Sequence, residues 1–194
     1  MTPSSGLIQA VRGAVQHTTA LNVLIRPRGG DFLYSDSERQ VMAHDIEAAA
    51  ALGADGVVLG LLTADGEIDA EHLAPLIRLC RSKGLDLTFH RAFDCARDLQ
   101  AALEQLIKCK VARVLTSGGR ASALEGAAVI SGLVVQAAGR IAVMAGGGIR
   151  AGNAAALLQR TGVRELHTSA HRRVPSGMRW TPAMELACRG LGGA

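Results

Sequence analysis

Four short stretches concentrate the side chains of this chain that could do chemistry. The first, Ile25-Arg26-Pro27-Arg28-Gly29-Gly30-Asp31-Phe32, follows directly on the mostly apolar run Leu21–Leu24. Guanidinium groups suit bidentate recognition of carboxylate or phosphate, and paired glycines allow a tight turn or the close approach of a ligand to the backbone. Arg26, Arg28 and Asp31 are therefore candidate ligand-binding residues. The second stretch, Thr88-Phe89-His90-Arg91-Ala92-Phe93-Asp94, gathers an imidazole, a guanidinium and a carboxylate. Histidine can act as acid, base or metal ligand. His90 is a candidate for proton transfer, and Arg91 stands beside it as a further catalytic candidate.

The third stretch, Ala145-Gly146-Gly147-Gly148-Ile149, precedes a helix expected from about Asn153. Exposed backbone N–H groups and a helix N-terminus together suit an anion, so Gly147 and Gly148 are candidate phosphate-binding positions. The fourth, Leu166-His167-Thr168-Ser169-Ala170, adds a second histidine for proton transfer and, in Ser169, a hydroxyl for the same anion. A Ser117-Gly118-Gly119 turn could contribute Ser117 and Gly118 beside them. Tight packing explains glycine triplets equally well, and a lone histidine at a strand end is commonly just hydrogen-bonded. For a soft metal such as copper, thiolate and thioether donors are natural; the candidates are His90, His167, Met144 and Cys95, with no evident ligand cluster. His17, His44, His72 and His171 read as surface residues, Cys80 and Cys109 as packing residues, and Cys188 falls in a tail of no clear pattern. Ser35 or Asp36 reads as the N-cap of the helix that follows.

Alternating elements must position these groups. Strand-like runs at Leu21–Ile25, Val57–Leu62, Asp86–Phe89, Arg113–Thr116, Arg140–Met144 and Arg164–His167 alternate with amphipathic segments at Glu38–Leu52, Asp69–Lys83, Asp98–Cys109, Ser122–Ala138 and Asn153–Arg160. Gly53, Gly84, Gly139 and Gly162 stand where helix C-caps are expected. Near-continuous apolar strands joined by helices imply a parallel sheet covered by helices, in one domain spanning residues 1–194. No glycine fingerprint of the dinucleotide-binding type opens the chain. The polar strand ends favour a (β/α)8 barrel of the TIM type, in which function gathers at the C-terminal ends of the strands.

Composition narrows the partners. Apolar residues make up 48 % of the chain and aromatic residues 3 %, with a net charge of +4. The apolar content argues against disorder. Much of the positive charge lies at Arg172, Arg173 and Arg179, without the basic stripe and stacking aromatics of a nucleic-acid surface. No apolar stretch has transmembrane length. Four cysteines without a regular framework suit a reducing compartment, the cytoplasm or also the nucleus.

The order and wording of five blocks strongly resemble the CutC family of copper homeostasis proteins. These are Ile25–Phe32 with Tyr34-Ser35-Asp36, then Thr88–Asp94, Arg113–Gly118, Met144–Ile149 and Glu165–Ala170. The wording is like that of animal members. The resemblance implies a TIM barrel associated with copper binding, tolerance and trafficking, and no established enzymatic reaction. It also implies two further βα units before Thr2-Pro3-Ser4, carrying two cysteines, and a closing segment after Arg179-Trp180. About six of the eight strands are then expected here, in an open, curved sheet of reduced stability whose first and last strands are unpaired edges. Three functions follow as expectations: a cytosolic copper-binding or trafficking protein; an enzyme or former enzyme acting on an anionic, perhaps phosphorylated, small molecule; or an inactive shortened isoform that self-associates or pairs with full-length barrels.

Overall fold

The computed structural model describes residues 1–15, 19–169, 171, 174–175 and 177–178. Of the residues considered above, His17, Ala170, Arg172, Arg173, Arg179, Trp180 and Cys188 lie outside the described residues. The chain runs α1 (Ser5–Val15), β1 (Asn22–Leu24), α2 (Asp36–Ala51), β2 (Gly56–Leu59), α3 (Ala70–Ser82), β3 (Asp86–Phe89), a 3-10 turn (Arg91–Cys95), α4 (Leu99–Lys108), β4 (Arg113–Thr116), α5 (Ala127–Ala137), β5 (Ala142–Gly146), α6 (Ala151–Thr161) and β6 (Glu165–His167). The six strands form one parallel sheet in strict chain order, β1 to β6. Among the described residues, β1 and β6 each pair on one side only.

Strand alternation sorts the residues into two layers. Val23, Val57, Leu87, Val114 and Val143 point beneath the helices and are buried, as are Ile25, Leu59, Phe89 and Ala145 one step further along. Met42 and Ile46 of α2, Leu73 of α3, Leu103 and Leu106 of α4 and Ile130 of α5 complete this core. The register then aligns Leu24 with Val58, Val58 with Thr88, Thr88 with Arg113, Leu115 with Met144 and Met144 with Glu165 on the opposite, inner face. On that face Arg113 reaches past small Ala142, its register partner, to pair with Glu165 two strands away. Arg113 also bonds the Thr88 hydroxyl at 3.3 Å.

Local signals account for most boundaries. Ser35, not Asp36, caps α2, in a reciprocal box with Glu38. Asp69 and Asp98 cap α3 and α4 through their side chains. Gly53, Gly84, Gly139 and Gly162 all take positive φ, between 70° and 81°, just after their helices. Three sequence expectations need correction. Helix α1 precedes the first strand where no element was expected; only Ile8 of it is fully buried, and Arg12 ties it to Asp55. The second strand ends at Leu59, and Leu62 instead bridges Ile68. The helix expected from Ser122 begins at Ala127, because Gly126 must pass against the backbone of Ser117 and Gly118.

Candidate ligand-binding mouth

At the C-terminal edge of the sheet the chain leaves each strand in a loop, and these loops collect the candidate residues. His90 follows β3. Its Nδ1 accepts the Ala92 N–H at 3.1 Å, and from that bond the ring proton is assigned to Nε2. Nε2 is buried with no hydrogen-bond partner. Burial pushes the His90 pKa down to about 4, and the nearby charge of Arg26 pushes in the same direction. The ring lies 5.0 Å from Phe32 and 6.1 Å from Phe89, centroid to centroid. Gly60 makes room for it: a Cβ there would stand 2.6 Å from Nδ1.

This buried imidazole fixes a pH dependence. Its folded pKa lies below the usual value of 6.5, so the unfolded chain takes up the proton first. Its contribution is fully present above pH 6.5 and is lost as pH falls toward 4, by up to about 3 kcal/mol. Urea unfolding at pH 7.0 and 5.0 checks this. The unmodified chain should lose stability over that interval while His90→Phe loses much less; equal losses in both would exclude His90 as the cause.

The arginine-rich loop divides its work. The Arg26 guanidinium lies 4.9 Å above the Phe32 ring and donates to the Gly30 carbonyl at 2.8 Å, while its buried Nε has no partner. Arg28 is committed within the loop. It donates to Glu38 at 2.6 Å, to Asp31 at 2.9 Å and to the carbonyls of Gly29 and Leu33, and its guanidinium lies 5.1 Å from the Tyr34 ring. The hydrogen bonds to Arg28 hold the Asp31 carboxyl below its ordinary range. Arg28 and Asp31 thus brace the loop, and only Arg26 of the three reaches the mouth.

Asp94 organises the next sector. Its side chain, 7 % exposed, accepts hydrogen bonds from the Thr116 and Ser117 hydroxyls, from the N–H groups of Ser117 and Gly119, and from Arg91 Nε at 2.8 Å. Burial works against its charge, but the bonds from Thr116, Arg91, Gly119 and Ser117 outweigh it and leave the pKa below the usual carboxylate value. The Ser117 hydroxyl, 3.0 Å from Asp94 and 2.6 Å from the Arg120 carbonyl, shares its one proton between them, and the Gly118 N–H bonds the Thr116 hydroxyl. Ser117 and Gly118 are therefore taken up in holding the turn. Arg91, anchored through Nε and Nη2, is what they present to the cavity.

Gly147 and Gly148 form the following turn, with φ of 108° and 69°. Asn153 locks it by accepting the Arg150 N–H and donating to the Gly148 carbonyl, and the Thr168 hydroxyl ties it to the end of β6 through Ile149. The cavity is in two joined parts that share Arg91, Leu115 and His167. The inner part, about 340 Å³, is lined by Leu24, Arg26, Phe32, Val58 and His90. The outer, about 750 Å³, is lined by Gly147, Gly148, Arg150, Ser169 and His171. His90, His167, Arg91, Arg26, Gly147, Gly148 and Ser169 are thus brought to one mouth. Phe32 and Arg150 join them, as sequence reasoning did not foresee; only the fold shows that Phe32 turns back onto Arg26.

The soft-metal candidates do not converge. Cys95 is exposed at the end of the 3-10 turn and lines neither part of the cavity, while Met144 is half-buried on the inner face of β5. His90 offers a protonated nitrogen rather than a lone pair. No group of three or more His, Cys, Asp or Glu suited to a metal occurs among the described residues. No helix among them is long and apolar enough to cross a membrane.

One parallel sheet of alternating β and α elements, with its polar groups gathered at the C-terminal strand ends, defines a protein of the TIM-barrel class, here as a six-stranded open half-barrel. The profile of the CutC family matches residues 1–172, and the chain belongs to that family. It is 50 % identical over 179 residues to a family protein CutC from Chromobacterium violaceum, covering 92 % of this chain and 71 % of the relative. Copper homeostasis protein cutC homologs from Mus musculus and Homo sapiens are each 51 % identical, with 92 % of this chain covered. The chain spans 64 % of the length of these two mammalian relatives. Bacterial and mammalian relatives are thus similar to it in equal measure. A crystal structure of a CutC protein from Streptococcus agalactiae superposes with a TM-score of 0.81 at 37 % identity, covering 86 % of this chain and 81 % of that one. A deoxyribose-phosphate aldolase structure from Coccidioides immitis, 17 % identical with a TM-score of 0.63 over 86 % of this chain and 67 % of its own, shares the fold.

Proposed function

We propose that the chain serves copper homeostasis, with copper as cargo rather than as a resident cofactor. The observation that supports this is family membership together with the 51 % identity to two mammalian proteins named for copper homeostasis. The donor set argues against a closed copper centre built from the described residues. Thiol, thioether and imidazole donors lie apart, and His90 would have to give up its bond to Ala92 to coordinate through Nε2. Among the described cysteines Cys95 carries the exposed thiol, a soft donor open to transient contact with Cu(I). The proposed setting is the cytoplasm or nucleus, where thiols stay reduced.

Growth of cells lacking the gene under graded copper tests the role. Loss of the gene should shift copper tolerance, and re-expression of this chain should restore it; an unchanged tolerance would refute the proposal. In an anaerobic titration against a Cu(I) chelator, Cys95→Ser should weaken binding by about tenfold, as expected for loss of one soft ligand contact. Equal affinity in both chains would remove Cys95 from the proposal.

A further inference from the structure

The mouth carries a pattern that copper cargo does not explain. Arginines 26, 91 and 150 and histidines 90, 167 and 171 line its two parts, and among the described residues no acidic side chain does. Such a surface selects an anion. The outer part is built for one. Arg91 is held by a buried carboxylate through Nε and by Ser117 through Nη2, which leaves Nη1 without a hydrogen-bond partner among the described residues. Nη1 lies against the Gly147 turn, where a Cβ would stand 3.6 Å from it. Beyond the turn, α6 directs its N-terminus to the same groove through Ala151. A rigid guanidinium, a glycine turn of positive φ and a helix N-terminus facing one space are the elements of an oxyanion cradle.

The inner part asks for something different. His90, 7 % exposed, has its Nε2 proton buried without an acceptor. Arg26 Nε is also buried and unpartnered, with its guanidinium stacked on the Phe32 ring that neighbours His90. These two donors face a pocket that Leu24, Phe32, Val58 and Leu115 line together with Asn22, Arg91 and His167, and an oxygen of a bound ligand would satisfy them. The imidazole is neutral, because its Nδ1 accepts a hydrogen bond. A hydroxyl or carbonyl oxygen answers it, while the full charge of the ligand belongs at Arg91.

We propose that the mouth binds a small phosphate monoester, its phosphate at Arg91 and the Gly147–Gly148 turn and its hydroxyl or carbonyl oxygen at His90 and Arg26. This site is independent of the copper role. It lies where the described residues already meet. Arg150 strengthens the field at the outer end and His90 sets the preference at the inner end.

Calorimetric titration with glycerol 3-phosphate, inorganic phosphate and glycerol separates the two halves. Glycerol 3-phosphate should bind at least tenfold more tightly than phosphate, and glycerol should not bind. Arg150→Glu, at an exposed position, should weaken both phosphorylated probes about tenfold. His90→Phe should remove the preference for the ester while leaving phosphate binding unchanged. In amide NMR spectra the Gly147 and Gly148 signals should move on titration. Absence of binding by the folded, unmodified chain overturns the proposal, as does binding that Arg150→Glu leaves unaltered with those glycine signals still. Equal affinity for phosphate and ester overturns the inner half.

Discussion

Asp94→Ala should destabilise the fold by about 3 kcal/mol, the scale for leaving buried hydrogen-bond donors without their acceptor. The carboxylate is 7 % exposed and joins the turn after β3 to the turn after β4. Its removal strands the N–H groups of Ser117 and Gly119, the Thr116 hydroxyl and the guanidinium of Arg91 together. Asp94→Asn keeps one acceptor oxygen but turns an N–H donor toward groups that already donate, so it should fall between the two. The folded pKa is depressed, so the stabilisation is present above the unfolded value and is lost as pH falls below about 4. At pH 7 the full loss should appear as a lowered urea midpoint with an unchanged slope. A loss under about 1 kcal/mol, the scale of one ordinary hydrogen bond, would show that the turn holds without its carboxylate.

Gly126→Ala should destabilise by about 3 kcal/mol or more, the upper range for overpacking a closed site. A Cβ at Gly126 would overlap the Ser117 carbonyl and stand 3.1 Å from the Gly118 Cα. Both neighbours are backbone, and Asp94 and Thr116 hold that backbone in place. No side chain can rotate away to relieve the contact. Gly132→Ala is the matching control. It lies inside α5 with nothing within 4 Å of its added Cβ, so helix propensity should raise stability by about 0.5–1 kcal/mol. Thermal melting of the pair reads the difference directly, and similar melting points for the two variants would refute the close-approach argument.

The βα alternation was legible because each strand here is a short apolar run and each helix ends in a glycine or begins at a capping side chain. Helix α1 escaped notice because its small residues and glycines bury only Ile8, although Ser4 caps it by accepting the Leu7 N–H at 3.3 Å. The mouth was legible at His90, Arg91 and the Gly147–Gly148 turn, where unusual residues cluster in sequence. Arg28 illustrates what was not. Its partners Asp31, Glu38 and Tyr34 are all near in the chain, yet the loop path that turns it inward toward them depends on how β1 ends and α2 starts. Gly118 looked like an open anion turn for the same reason. Its close approach to Gly126 is a contact across eight residues that spacing alone does not announce.

The strict chain order of the sheet bears on how the molecule is made. Each strand from β2 to β6 pairs with the one synthesised just before it, so a chain leaving the ribosome can add one βα unit at a time onto a finished edge. Among the described strands no late one has to slip between two early ones, and the pairings stay local in sequence, the arrangement that favours rapid assembly. The Arg113–Glu165 pair, which skips a strand, then forms only once β6 arrives, as a clasp across the strand between them.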